Sequence, residues 1–187
     1  LTQPAAKWHE ASADEGRGLV QVFTGDGKGK TTAALGAVIR ALGQGKRVFI
    51  IFFMKGDYPY GEREVLRRLP GVNFASFGTL DFVTLGQLSQ QDREEASRAL
   101  AAAREAVLGG SYDLVVLDEI CLAAAFGLIP EDEVKSLIRE KPAALDLILT
   151  GRRADPETIK LADLVTECVK IKHHFDKGVP SRKGIEY

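Results

Sequence analysis

The sequence predicts an α/β fold, with a mostly parallel central sheet covered by helices on both faces. Three observations carry that expectation. Short, nearly continuous apolar runs recur along the chain, as in strands buried on both sides. Helical segments, several rich in alanine or leucine, separate them, which is the alternation that builds parallel sheets. A glycine-rich loop, Thr24-Gly25-Asp26-Gly27-Lys28-Gly29-Lys30-Thr31-Thr32, joins the first apolar run to the first helical segment. With 187 residues, 45% of them hydrophobic, the chain is expected to bury a sizeable core in one domain.

Residues 1–18 read as a polar arm, with a short helix expected over 5–13. Strand one is expected at 19–23 and the first helix at 30–42, stopped by Gly43 and Gly45. Residues 48–53 form a continuous apolar run and the second strand. A short helix over 59–69 ends at Pro70-Gly71, and 72–77 is the third strand. Residues 78–88 read as a loop. Ser89 and Asp92 form a capping-box-like start to a helix reaching about 108, with Ala96, Leu100, Ala103 and Val107 along one stripe. The next strand is 112–117. Pro130 suits a first helical position before Val134, Leu137 and Ile138. Residues 145–149 form a strand, Asp155-Pro156 start a helix to about 161, and 162–171 form the last strand. Residues 172–187 are a polar tail.

The net charge of −1 argues against a general nucleic-acid or membrane surface. No apolar run approaches the length of a membrane span, and the start of the chain lacks a signal-peptide apolar core. Cys121 and Cys168 have no metal-like spacing. They read as buried thiols in a reducing, cytoplasmic setting.

The chemistry lies in two motifs. In the loop at 24–32, glycines let successive backbone N–H groups turn onto a phosphate, and the helix N-terminus adds partial positive charge. Lys30 would reach terminal phosphates, and the Thr31 hydroxyl would take a place on Mg²⁺. The usual pattern begins with Gly, whereas here that position is Thr24. The second motif is the apolar run 114–117 ending in Asp118 and Glu119. Asp118 would hold Mg²⁺ opposite Thr31. Glu119 would polarise a water, complete the metal shell or bind substrate. Together the motifs predict a single-domain P-loop NTPase-like (RecA-like) fold, with ligands at the C-terminal strand ends. Lys55 and Arg152 follow two other strands, placed either to meet triphosphate charge or as solvated surface residues. Residues 77–88 would wall a second pocket or pack on the core. His173-His174 is a weak metal signal.

With those residues in hand, the chain resembles the P-loop ATP:corrinoid adenosyltransferases from about Arg17 to Tyr187. The matching stretches are Val22 to Ala34, Lys55-Gly56 with Gly61-Glu62-Arg63, Val115 to Glu119, Thr150-Gly151-Arg152, Ala162 to Glu167, and Lys172-His173 with Gly184-Ile185-Glu186-Tyr187. In that family Thr stands in place of the first Gly. The resemblance implies attack by a Co(I) corrinoid on the 5′ carbon of ATP, with triphosphate leaving. It implies Lys30, Glu119 and Arg152 as catalytic residues. Thr24, Gly25, Asp26, Gly27, Lys28, Gly29, Lys30, Thr31, Thr32, Lys55, Glu62 and Phe82 would contact ATP or corrinoid. Thr31, Asp118 and Glu119 would hold Mg²⁺, with Mn²⁺ as a substitute. It further implies a homodimer, a reductase supplying the Co(I) corrinoid, and a tail beside the active site.

Two stretches depart from the family. A Gly-Phe-Thr-Trp run after the third strand is replaced by Gly78-Thr79-Leu80-Asp81-Phe82-Val83-Thr84-Leu85-Gly86, which keeps one aromatic residue. Residues 121–127 read Cys121-Leu122-Ala123-Ala124-Ala125-Phe126-Gly127 where the family usually carries larger polar and aromatic side chains. The alternatives are a P-loop ATPase or small-molecule kinase, and a nucleotide-gated corrinoid-binding module.

Overall fold

A computed structural model describes residues 16–79 and 86–187. The expected helix at 5–13 and the site candidate Phe82 lie outside the described residues. Among those described, six strands form one sheet: β1 (Val20–Thr24), β2 (Val48–Phe52), β3 (Val72–Ser76), β4 (Leu114–Asp118), β5 (Asp146–Thr150) and β6 (Leu164–Glu167). Their order is β3-β2-β4-β5-β1-β6, and every pairing is parallel. The helices are α1 (Lys30–Gly43), α2 (Gly61–Leu66), α3 (Gln90–Leu108), α4 (Ile120–Ala125), α5 (Glu131–Glu140) and α6 (Pro156–Leu161).

The continuous apolar runs are explained by the two cores. Successive strand residues point to opposite faces, so a strand covered on both sides is apolar at every position. Val115 and Leu117 of β4, Leu147 and Leu149 of β5, and Ile51 of β2 face α3, α4 and α5. Leu114, Val116, Ile148, Ile50 and Phe52 face α1 and α2. The α3 stripe is centred on Ala96, Ala99, Ala103 and Ala106, while Leu100 is only half-buried. Ser89 caps this helix as expected: its hydroxyl accepts from Asp92 N at 3.0 Å, and its own N–H donates to the Asp92 carboxylate at 2.9 Å.

Several boundaries differ from the sequence expectation. The last strand covers Leu164–Glu167, not 162–171, because its partner β1 ends opposite Glu167 at Thr24. Pro130 is the N-cap of α5, outside the first turn, with an extended ψ of 136°. The helix expected over 59–69 is the shorter α2. Helix α4 was not expected, and it begins directly after the carboxylate pair. A 3₁₀ turn, His174–Lys177, interrupts the tail.

Candidate active site

The parallel sheet brings the ends of β1, β2, β4 and β5 to one rim. From β1 the chain passes through Gly25, with a positive φ of 92°, and reaches α1 at Gly29, with φ 117°. A residue with a Cβ is strained at either angle. Gly27 is needed for closeness: its N–H donates to Cys168 O at 2.6 Å, and an added Cβ would stand 2.6 Å from that same oxygen.

Thr24 has a structural explanation. It is buried, and its hydroxyl accepts from Ala154 N at 3.3 Å, tying the loop to the turn after β5. Asp26 is exposed. Lys30 is 6% exposed and donates to Gly25 O at 2.8 Å and Gly27 O at 2.6 Å. Its pKa lies below the usual lysine range, through burial and the nearby Arg152 charge, against an opposing pull from Glu119.

The carboxylate end of β4 meets the start of α1. The Thr31 hydroxyl donates to Asp118 Oδ1 at 2.9 Å, and the Thr150 hydroxyl donates to the same oxygen at 2.7 Å. Asp118 Oδ2 accepts from Lys55 Nζ at 2.5 Å, and Lys55 lies 3.3 Å from the Thr31 hydroxyl. Burial pulls the Lys55 pKa down, but the Asp118 charge and hydrogen bond outweigh it and leave it raised. Glu119 has a left-handed backbone (φ 63°), and its N–H donates to Thr150 Oγ1 at 2.9 Å. Such a conformation costs a non-glycine residue on the order of 1–3 kcal/mol and persists where its surroundings hold it. Burial, reinforced by the Asp118 charge, pushes the Glu119 carboxyl upward, while Lys55, Lys30 and Arg152 oppose the rise.

A cavity of about 700 Å³ lies over this rim. It is lined by Gly27 to Thr32, Lys55, Glu62, Glu119 and Arg152, so most of the expected site residues converge there. Thr24, Gly25, Asp26 and Asp118 are not among its lining residues. The donor set suits a hard divalent cation, which takes oxygen ligands. Thr31 and Asp118 present converging oxygens, and Glu119 Oε2 is buried without a hydrogen-bond partner. No group of three or more His, Cys, Asp or Glu able to hold a metal occurs among the described residues.

Several neighbours were named in the sequence without the contacts they make. Arg63 is 5% exposed and donates to Gly56 O at 2.7 Å and Tyr58 O at 3.2 Å, bracing the Lys55 loop. The hydroxyl of Thr150 is hidden in an ordinary apolar strand. His173 and His174 stack with ring centroids 4.6 Å apart and line the cavity. Lys28 reaches the tail, donating to Glu186 Oε1 at 2.9 Å and Ile185 O at 3.1 Å. Glu186 also accepts from the Arg182 guanidinium, and Tyr187 meets Tyr58 at 5.3 Å. A charged tail residue four positions from an arginine was a visible signal, but its long-range partner was not.

Comparison with known proteins agrees with this geometry. A family model described as ATP:corrinoid adenosyltransferase BtuR/CobO/CobP matches residues 16–187. The corrinoid adenosyltransferase of Escherichia coli K12 is 39% identical over 177 residues, covering 95% of this chain and 89% of that protein. The corrinoid adenosyltransferase CobA of Salmonella typhimurium LT2 gives the same identity and coverage. That of Pseudomonas aeruginosa is 38% identical over 178 residues, covering 95% and 87%. A match of this extent, over a loop and carboxylate pair that meet in space, places the chain in the ATP:corrinoid adenosyltransferase family.

Proposed function

We propose that this chain transfers the 5′-deoxyadenosyl group of ATP to the Co(I) centre of a reduced corrinoid. The observation that carries the reading is the convergence of Lys30, Thr31, Lys55, Asp118 and Glu119 on one cavity in a member of this family. The cobalt electron pair forms a bond to C5′, the C5′–O bond breaks, and inorganic triphosphate departs with that bonding pair. Cobalt needs no general base, so the protein's work is placement and charge stabilisation. The amides of Gly27 to Thr32, with Lys30 and Arg152, hold the triphosphate and meet the charge that develops on it. Thr31, Asp118 and Glu119 would hold Mg²⁺ or Mn²⁺. Such an ion, when bound, would neutralise part of the triphosphate charge.

The fold is read as a RecA-like P-loop domain at 19–171, flanked by an arm at 1–18 and a tail at 172–187 that borders the site. The loop between β1 and α1 and the strand order support this. The working form is read as a cytoplasmic homodimer served by a separate reductase. Phe82 is assigned to the corrinoid pocket. Phe82→Ala should depress turnover with reduced corrinoid and leave ATP affinity nearly unchanged. Parallel loss of both affinities and of melting temperature would make it a packing residue.

The deciding assay incubates the protein with MgATP and a reduced corrinoid. A Co–C bond and free triphosphate are expected. ADP and phosphate without alkylcorrinoid would overturn this reading in favour of an ATPase, and ADP with a phosphorylated acceptor in favour of a small-molecule kinase; the buried, unpartnered Glu119 oxygen beside Asp118 is the observation that keeps these alternatives. Tight corrinoid binding without turnover would establish a binding module.

A further inference from the structure

We infer that Lys55 is an internal competitor for the metal position: its ammonium and a divalent cation contend for the same oxygens, and metal enters as Lys55 moves onto the triphosphate. The inference rests on the reading that MgATP binds at this loop.

Both oxygens of Asp118 are committed. Oδ1 accepts from the Thr31 and Thr150 hydroxyls, at 2.9 and 2.7 Å. Oδ2 accepts from Lys55 Nζ at 2.5 Å. The same ammonium lies 3.3 Å from the Thr31 oxygen. Lys55 thus bridges the two groups that would ligate the cation. Side-chain exposure is 11% for Lys55 and 1% for Asp118, so water screens this pair poorly. A magnesium ion approaches its oxygens to about 2.0–2.1 Å. An ammonium already in contact with Oδ2 repels a second cation approaching that oxygen, and in a weakly screened site the repulsion is large.

The surroundings let the side chain move without the backbone. Lys55 N–H donates to Phe77 O at 3.0 Å, and Arg63 reaches its carbonyl at 3.4 Å. Beyond those anchors, the ammonium has the faces of Phe52 and Tyr60 at 5.3 and 5.0 Å from the ring centroids. Aromatic faces attract a cation without fixing its direction. The side chain also lines the cavity that holds the phosphate-binding amides. A triphosphate there would offer the anion that Asp118 gives up. Metal and triphosphate should therefore favour one another's binding, with Lys55 as the group exchanged between them.

The test uses the full chain and Mn²⁺ alone, counting free ion by electron paramagnetic resonance. In Lys55→Gln the neutral amide can still donate to Asp118, so the buried acid keeps a partner. Lys55→Met is a second, fully apolar variant. Either folded variant should bind Mn²⁺ roughly 5- to 150-fold more tightly than wild type, the usual range for coupled sites. Mn²⁺ should also raise its melting temperature more than that of wild type. Adding Asp118→Asn should erase the gain. Equal or weaker Mn²⁺ binding in the folded variants would overturn the inference. Failure of wild type to bind MgATP in calorimetry would overturn the functional reading beneath it.

Discussion

Thr150 is where the structure makes its sharpest quantitative claim. The side chain is fully buried, donates to Asp118 Oδ1 at 2.7 Å and accepts from Glu119 N at 2.9 Å. Thr150→Val keeps the shape and removes both bonds. A hydrogen bond to a charged group contributes about 1.5–3 kcal/mol, and an orphaned buried N–H costs about 1–3 kcal/mol. The terms are not independent, so the expected loss is about 2–5 kcal/mol. For a chain of this size that is a fall of roughly 4–20 °C in melting temperature. Thr150→Ser keeps both bonds and loses only a methyl group, at about 1 kcal/mol. The assay is reversible urea unfolding of the three proteins, with calorimetry for the melting temperature. Equal stabilities for the valine and serine variants would refute the reasoning, since shape and not hydrogen bonding would then hold the strand end. The valine variant should also lose turnover, because the left-handed turn at Glu119 loses the acceptor that pins it.

Lys30→Ala should abolish most adenosyl transfer and weaken MgATP binding, with a much smaller change in melting temperature. Its present partners are two loop carbonyls. Near-normal turnover of the folded variant would remove the loop from the chemistry. The Glu186 carboxyl is held below the usual range by hydrogen bonds from Arg182 and then Lys28. A depressed folded pKa means its contribution is complete above the unfolded value, about 4.3, and is lost as pH falls through the folded one. Once the slower intrinsic exchange in acid is divided out, hydrogen-exchange protection factors over residues 179–187 should therefore fall in acid in wild type. In Glu186→Gln they should be low already at neutral pH, and protection equal to that of wild type there would show that the tail is held by other contacts.

The sheet and the nucleotide loop were legible because each has a strong local signature. Strands such as β4 and β5 carry unbroken apolar runs, Leu114 to Leu117 and Leu147 to Leu149, and the glycine pattern before Lys30 fits few backbones. Helix α4 was not legible. Its sequence, Ile-Cys-Leu-Ala-Ala-Ala, is apolar all round, and it starts from a left-handed Glu119 without a side-chain cap. Neither periodicity nor capping announces it. The apolar run through Ile171 looked like strand, yet pairing stops where β1 becomes the loop. Beyond that point Cys168 serves as a backbone partner of Thr24 and Gly27. The hydroxyl of Thr150 and the reach from Lys28 to Glu186 are tertiary facts, set by which strand ends adjoin.

The place of β1 in the sheet has a consequence for the order in which the molecule assembles. β1 pairs with β5 and β6 alone. Leu19 N–H finds the Asp146 carboxylate 127 residues later in the chain. At a synthesis rate of about 5–20 residues per second, that partner appears roughly 6–25 s after β1 does. Through this interval both edges of an apolar strand await neighbours, and the glycine loop attached to it has no frame. Loop closure over such a separation is entropically costly before any contact repays it. Strands β2, β3 and β4 can meet earlier, since none needs β1 as a neighbour. The nucleotide loop, encoded near the start, should thus be among the last parts of the molecule to take shape.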